Sequence, residues 1–333
     1  MDKETLANQI GGRECGVCGT ASDDSLFSIR EMMLGRRETF DYFRCSSCGC
    51  LQIVSVPLRM GAYYPTSYYS FGVRKRANVI YEWMRSRRND YLLRGHQWLG
   101  RTLSRWVPYP AMRSLLPLCL TPTMRILDVG SGSGGVVSDL RDLGFANALG
   151  VDAYLDTDLT HPNGARVLRA SVDDVSGDWD VVMLHHSLEH MADQVGALRQ
   201  VSRLLRDGGW CLIRTPTVSS YAWEHYGVDW VQADAPRHLF LHTKKSITLL
   251  AQRAGLRVEK IVYDSTGFQF WGSEQYRADI PLMSPQSYRV NPRQSRFDSK
   301  QIREFEKRAE ELNRLQLGDQ FAVYASKRSP SLA

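Results

Sequence analysis

From Thr123 onward, short apolar runs alternate with stretches whose apolar residues recur every three or four positions. The runs Arg125–Val129, Leu149–Asp152, Arg166–Arg169, Asp180–His185 and Trp210–Thr215 predict buried strands. Between the last two lies a helical pattern with Val195, Leu198, Val201 and Leu205 inward, stopped at Asp207-Gly208-Gly209. Thr243 caps a further helix carrying Ile247, Leu250 and Ala254, which Gly255 ends. Strands 257–263 and 320–327 finish the set, with a helix over 299–316 (Ile302, Phe305, Ala309, Leu312) before the last. Alternation of this kind predicts an α/β fold, a doubly wound seven-stranded sheet with helices on both faces.

Upstream the pattern differs. Residues 14–60 read as short strands, followed by an aromatic loop, Tyr63-Tyr64-Pro65-Thr66-Ser67-Tyr68-Tyr69. Over 74–106 apolar residues (Ile80, Trp83, Met84, Tyr91, Leu92, Trp98, Leu99, Leu103, Trp106) mark a helical face with arginines opposite. The expected organisation is a small module over 1–62, the aromatic loop and basic helical linker over 63–121, and a main domain over 122–330 with an insertion at about 266–318.

The composition, 43% hydrophobic and 23% charged, is that of an ordinary soluble protein. Residues 1–13 hold no apolar core of a signal peptide, and Trp106–Leu120 is broken by Arg113 and prolines. A cytoplasmic location is therefore expected. The net charge of +6 is concentrated. The 74–106 stretch has nine Lys/Arg (Arg74, Lys75, Arg76, Arg85, Arg87, Arg88, Arg94, Arg101, Arg105) against Glu82 and Asp90. That face reads as a solvated surface packed on the main domain, or as a peripheral contact for an anionic substrate or a membrane surface. A nucleic-acid binder would be basic over a whole docking face, so no nucleic-acid partner is expected.

Four of the seven cysteines form two pairs, Cys15-Gly-Val-Cys18 and Cys45-Ser-Ser-Cys48, separated by 26 residues. Two such knuckles can bring four thiolates around one tetrahedral Zn²⁺. Four ligands leave no open position, so the zinc is expected to be structural.

The segment Leu127-Asp128-Val129-Gly130-Ser131-Gly132-Ser133-Gly134-Gly135 follows the first strand of the main domain. It satisfies GxGxxG through Gly130, Gly132 and Gly135, so a nicotinamide dinucleotide has to be weighed. Asp128 argues otherwise. A carboxylate there repels a diphosphate and suits a ligand with an ammonium group, such as the methionine end of S-adenosylmethionine (SAM). Glycines allow close backbone approach, and the next helix N-terminus lies near the ligand's carboxylate. Asp152, 22 residues after Gly130, is placed for ribose hydroxyls, and Ser171-Val172-Asp173 for the adenine edge.

Together with His186-Ser187-Leu188-Glu189-His190 and Asp234-Ala235-Pro236-Arg237-His238-Leu239, these strings make the chain resemble the class I SAM-dependent methyltransferases. The similarity is to the branch with an N-terminal zinc ribbon, associated with sugar, glycan or other small-molecule methylation. It implies a Rossmann-like fold, SAM as cofactor, and Asp128, Gly130, Ser131, Gly132, Gly134, Asp152, Ser171, Val172, Asp173 and His185 as its contacts. Ser171 departs from relatives that carry an aspartate at that place.

For the acceptor, open α/β sheets bind ligands at the strands' carboxyl ends, which puts His185 and His186 beside the methyl group. Methyl transfer needs alignment and dryness, and a hydroxyl acceptor also gains from a base. His238 is the preferred base, a role the resemblance also implies for the histidine of that loop, with bonding to a backbone carbonyl as the alternative. His190 is expected to order its own loop. Asp234 or Arg237 would orient His238 or grip an anionic substrate, and Trp230, Glu274 and Tyr276 are candidates for binding a sugar, with plain core packing the equal alternative for the aromatics of 266–277. The leading expectation is O-methylation of a small molecule or glycan in polysaccharide or natural-product biosynthesis. The alternatives are a sugar-nucleotide C-methyltransferase, a zinc-ribbon RNA-binding methyltransferase or a silent SAM-binding scaffold. Against the RNA reading, the place of an Asn/Asp-Pro-Pro-Tyr tetrapeptide is taken by His185-His186-Ser187-Leu188. Against the scaffold, Asp128 and Asp152 are both present.

Overall fold

In the computed structural model of the chain, residues 13–22, 25–64, 78–96 and 98–327 are described. Five short strands open it: β1 (Arg13–Glu14), β2 (Ala21–Ser22), β3 (Ser25–Arg30), β4 (Thr39–Arg44) and β5 (Leu51–Ile53). Helices α1 (Val79–Arg94), α2 (Trp98–Trp106) and α3 (Pro110–Arg113) follow. The main domain runs β6 (Ile126–Val129), α4 (Gly135–Asp142), β7 (Ala148–Val151), β8 (Leu159–Thr160), β9 (Arg166–Leu168), β10 (Trp179–His185), α5 (Gln194–Leu204) and β11 (Leu205–Pro216). It continues with α6 (Tyr221–Tyr226), β12 (Phe240–Leu241), α7 (Lys244–Arg253), β13 (Leu256–Tyr263), α8 (Phe268–Arg277), α9 (Ser299–Arg314) and β14 (Gln320–Lys327).

The large sheet has the order β13-β14-β11-β10-β6-β7-β9-β8. Its centre, β11, β10, β6, β7 and β9, is parallel, and β14 is antiparallel to both neighbours. All four residues of β6 are buried, as a central parallel strand covered on both faces requires. The expected doubly wound sheet is present, with a two-residue eighth strand, β8, added at one edge. One cluster of apolar side chains packs on each face of this sheet.

Two boundaries differ from the periodicity. The helix expected over 74–106 is two helices, because Gly95 adopts φ 75° and its N–H closes on the Tyr91 carbonyl at 2.8 Å, ending α1. Residues 65–77, including Arg74, Lys75, Arg76 and most of the aromatic loop, lie outside the described residues. The helix expected to stop at Asp207-Gly208-Gly209 ends at Leu204, and the chain enters β11 directly.

The small module is stitched to the main domain. Its antiparallel sheet has the order β12-β5-β4-β3, so a strand that follows β11 by more than twenty residues completes it. The linker is anchored too: Leu92, Leu93, Met112, Leu115 and Leu118 are buried in the same cluster as Ile126 and Met183. None of the helices among the described residues is long and apolar enough to cross a membrane.

Candidate functional site

The carboxyl ends of β6, β7, β9 and β10 open onto a cavity of about 970 Å³. Asp128, Gly130, Ser131, Gly132, Asp152, Ser171, Val172, Asp173, His185 and His186 line it, so the structure brings the expected cofactor contacts and two of the three expected catalytic histidines together. The turn after β6 is made by Gly130, Gly132 and Gly134, with φ 71°, 56° and 79°. Gly134 does not line the cavity; it caps α4, and a Cβ there would meet Val167 Cγ2 at 2.3 Å.

The polar groups on this side are short of partners. Asp128 is 2% exposed, its Oδ1 has no hydrogen-bond partner, and burial, reinforced by the nearby Asp152 carboxylate, pushes its pKa up to about 8. Ser131 Oγ and both ring nitrogens of His185 are also buried without partners. Burial, with Arg214 and His186 nearby, drives His185 well below the ordinary histidine range, so its ring is neutral. Unpaired buried polar atoms are costly, and four of them around one cavity mark a ligand's place. Asp152 accepts from the Gly132 N–H at 2.8 Å and the Tyr154 N–H at 2.9 Å, which leaves each oxygen a further lone pair for hydroxyl donors. Ser171 accepts from the Asp173 N–H at 3.3 Å, heading the turn Val172–Asp174.

At the end of β10, His186 takes φ 51°, a strained conformation for a residue with a side chain. Its Nδ1 lies 3.1 Å from Glu189 Oε1. Glu189 is fully buried; burial favours its neutral form, but the His186 hydrogen bond and the imidazoles of His186, His190 and His238 prevail and hold its pKa at about 2. His190 Nδ1 donates to the Arg237 carbonyl at 2.8 Å and His238 Nδ1 to the Gln232 carbonyl at 2.8 Å. A carbonyl only accepts, so in the neutral rings both Nε2 atoms carry the lone pair. The two rings sit 4.8 Å apart, and His190 and Tyr64 line the cavity. Burial, opposed by the Asp234 charge, takes His238 down to about 4. His238 thus makes the carbonyl bond expected as the alternative to a catalytic role, and its ring, beside His190, is not among those that line the cavity.

The loop that carries His238 is bolted from beneath. Arg237 is fully buried and donates to both oxygens of Asp234, at 3.0 and 2.6 Å, and to Glu31 Oε1 at 3.0 Å. Burial favours neutral Asp234, but Arg237 outweighs it and holds the carboxyl below its usual range. Asp234 Oδ2 is 3.8 Å from His238 Nε2, which suits it to steady the protonated ring. Arg237 is therefore spent on protein carboxylates rather than free to grip an anion. Trp230 is fully buried, donating to Asp319 at 3.0 Å; Glu274 accepts from the Tyr226 hydroxyl at 3.0 Å; Tyr276 is buried in a separate apolar cluster. The cavity wall does not include these three: Trp230 and Tyr276 are turned into the core, and Glu274 is half-buried and engaged with Tyr226. Tyr64, Tyr154 and Arg214, which do line it, carry no spacing signal; only the aromatic loop pointed toward Tyr64.

In the small module Cys15 Sγ lies 3.6 Å from Cys48 Sγ and Cys18 Sγ 3.6 Å from Cys45 Sγ, and all four sulfurs lie within 4.8 Å of one another. A tetrahedron with metal–sulfur bonds of about 2.3 Å has sulfur–sulfur edges of about 3.8 Å, so the cluster is close to zinc geometry. Gln52 Nε2 donates to Cys15 Sγ at 2.9 Å, the kind of outer contact that orients a thiolate.

Residues 103–261 match the family model of a methyltransferase domain. No curated protein matches the chain. Among solved structures, a chain of the complex between the Haloferax volcanii Trm112 methyltransferase activator and a methyltransferase is similar, with 18% identity over 73% of this chain and 98% of that one, at a TM-score of 0.42. The Burkholderia thailandensis 1,6-didemethyltoxoflavin-N1-methyltransferase, with 1,6-didemethyltoxoflavin and S-adenosylhomocysteine bound, aligns at 15% identity over 77% of this chain and 94% of that one, TM-score 0.39. A geranyl diphosphate methyltransferase in complex with SAM aligns at 13% over 71% and 94%, TM-score 0.41.

Proposed function

We propose that this protein is a SAM-dependent methyltransferase acting on a small-molecule or glycan acceptor, with a hydroxyl as the methylated group. The observation that carries the reading is the buried, unpaired Asp128 Oδ1 at the end of β6. A buried carboxylate pushed up to about 8 is out of place unless a cation completes it. An α-ammonium group does so, and Asp152 is set to accept from ribose hydroxyls. The match of residues 103–261 to a methyltransferase domain supports the same reading.

Bound there, SAM would supply an electrophilic methyl group on a sulfonium centre. The chain's own part is to hold the acceptor and receive its proton. His238 Nε2 carries the lone pair for that proton, and Asp234 and Glu189 favour the charged ring that results. His186, fixed by Glu189, and Tyr64 border the place where the acceptor lies. The four-cysteine cluster is assigned to structural Zn²⁺, which would tie the two knuckles of the small module together.

Calorimetry tests the cofactor. SAM and S-adenosylhomocysteine are expected to bind one per chain, and Asp128→Asn to weaken SAM by about 30-fold or more, the loss of one buried charge partner. Tight binding of a nicotinamide dinucleotide without binding of SAM would sink the reading. Methyl transfer from labelled SAM to nucleotide sugars or glycan extracts identifies the acceptor. His238→Ala is expected to abolish turnover while SAM affinity stays within a few-fold; full activity would remove His238 from the mechanism.

A further inference from the structure

We propose that the hairpin of α1 and α2 is a docking face for an anionic lipid bilayer. Ile80, Trp98 and Trp106 are 71%, 80% and 81% exposed, and Trp83 and Val107 join them in water. Side chains of this kind, gathered on one short stretch, mark an interaction surface rather than ordinary solvent-facing positions. The two helices meet closely at Gly100, where a Cβ would lie 2.4 Å from the Arg87 carbonyl oxygen and 2.5 Å from Tyr91 Cβ. They form one unit, and it is fixed to the body. Leu92 and Leu93 enter the main core, and Arg85 bridges Asp139 and Asp142 of α4 at 3.3 and 2.6 Å. What remains is the outer side of the hairpin.

Its charge chooses the occupant. Of the acids on α1, Glu82 pairs with Arg85 and Asp90 with Arg94, and α2 has none. Arg87, Arg101 and Arg105 are exposed and have no carboxylate partner among the described residues. A second copy of the chain would bring two cationic faces together, and a nucleic acid would leave Ile80 and Val107 against a charged backbone. A bilayer surface meets all three features. Aromatic rings settle at the headgroup level, aliphatic side chains reach the acyl boundary, and guanidinium groups meet lipid phosphates. The face also adjoins the cavity: Tyr109 lines it, and Arg88 of α1 sits over the Tyr109 ring at 5.0 Å. Docking would bring the cavity mouth to the lipid surface, so the acceptor class becomes a membrane-borne glycan or headgroup. That last step rests on the methyl-transfer reading; the docking does not.

Flotation of the full chain with phosphatidylcholine vesicles, with or without roughly one-third phosphatidylglycerol, tests it. The expected result is salt-sensitive binding to the anionic vesicles only. Replacing both exposed tryptophans (Trp98→Ala with Trp106→Ala) should cut binding at least tenfold. Arg101→Gln and Arg105→Gln should each cut it about fivefold on anionic vesicles. All of these positions are exposed, so denaturation midpoints and SAM affinity should stay at wild-type values. Absence of binding at low salt, or equal partitioning of the tryptophan variant, overturns the proposal. It is equally overturned if light scattering shows a dimer that the tryptophan variant splits while vesicles are ignored, or if RNA binds in a tryptophan-dependent way and vesicles do not. Failure here with SAM still bound leaves the methyl-transfer reading intact, whereas failure to bind SAM overturns that reading without touching this one.

Discussion

The two walls of the cavity are built on opposite terms. On the glycine-turn side, Asp128 Oδ1, Ser131 Oγ and both nitrogens of His185 are buried and unpaired. Behind His190, which lines the cavity, Arg237 is bonded to Asp234 and Glu31, and the Nδ1 atoms of His190 and His238 have carbonyl acceptors. Both walls are dry and rich in charge, yet the first leaves its cavity-facing atoms unpaired, whereas the second is braced by Arg237 and leaves only Glu189 Oε2 among its named groups without a partner. Folding tolerates the first only where a ligand supplies what the protein omits, while Arg237, Asp234 and Glu31 of the second satisfy one another and can hold a histidine in place. The difference separates binding from positioning before any ligand is seen, and it reassigns Arg237 from substrate contact to support.

The strongest break in this contrast is Arg237→Met. It leaves Glu31 and Asp234 buried with no countercharge, and removing one partner of such a group is expected to destabilise the protein by about 3–5 kcal/mol. Urea unfolding of the variant measures it, and a loss below about 1 kcal/mol would show that the braced wall is not an interdependent network. Because Glu31 belongs to the small module, the same substitution should loosen that module, seen as faster amide exchange around β3 and β4.

On the unfinished wall the sign reverses. Asp128 has an ordinary value of 3.8 and a folded value near 8, so the folded state holds its proton more tightly than the unfolded chain does. That contribution is complete below the ordinary value and is lost as pH rises through about 8. Asp128→Asn should remove the slope, leaving the SAM-free protein more stable than wild type at high pH by an amount on the order of a few kcal/mol. Saturating SAM should flatten the wild-type slope as well, because the ligand's cation then completes the carboxylate. Thermal unfolding across that window, with and without SAM, decides; a variant less stable than wild type at every pH would mean that Asp128 is already satisfied.

This asymmetry also explains what could be read from the chain. The strands around the cavity and the glycine turn were legible because their signals are local: apolar runs of four to six residues, then Gly130, Gly132 and Gly134 beside Asp128. The braced wall was not. Glu31 reaches Arg237 across 206 residues, Asp319 reaches Trp230 across 89, and β12 is two residues that find β5 in the other module. None of these partners repeats with a period, so the 230–239 loop offered its histidine and arginine without saying which faced the cavity. Gly95 is visible, but the apolar spacing runs on past it, so periodicity alone predicts one helix where the structure has two.

The smallest expected effect lies at Ser171, where the unfinished wall has one finished corner. Its Oγ donates to Asp174 at 2.7 Å and accepts from the Asp173 N–H, ordering the turn that faces the adenine side of the proposed cofactor site. Ser171→Ala deletes both bonds from a partly exposed position. The stability loss should be about 0.5–1 kcal/mol, the usual cost of a lost cap. If this turn receives the adenine edge through ordered backbone at Val172 and Asp173, SAM affinity should fall only about two- to fivefold, since those backbone groups remain and lose only their preset conformation. Calorimetry on the variant separates the two roles. A loss as large as that of Asp128→Asn would make the hydroxyl itself a ligand contact, and an unchanged affinity would confine Ser171 to the turn.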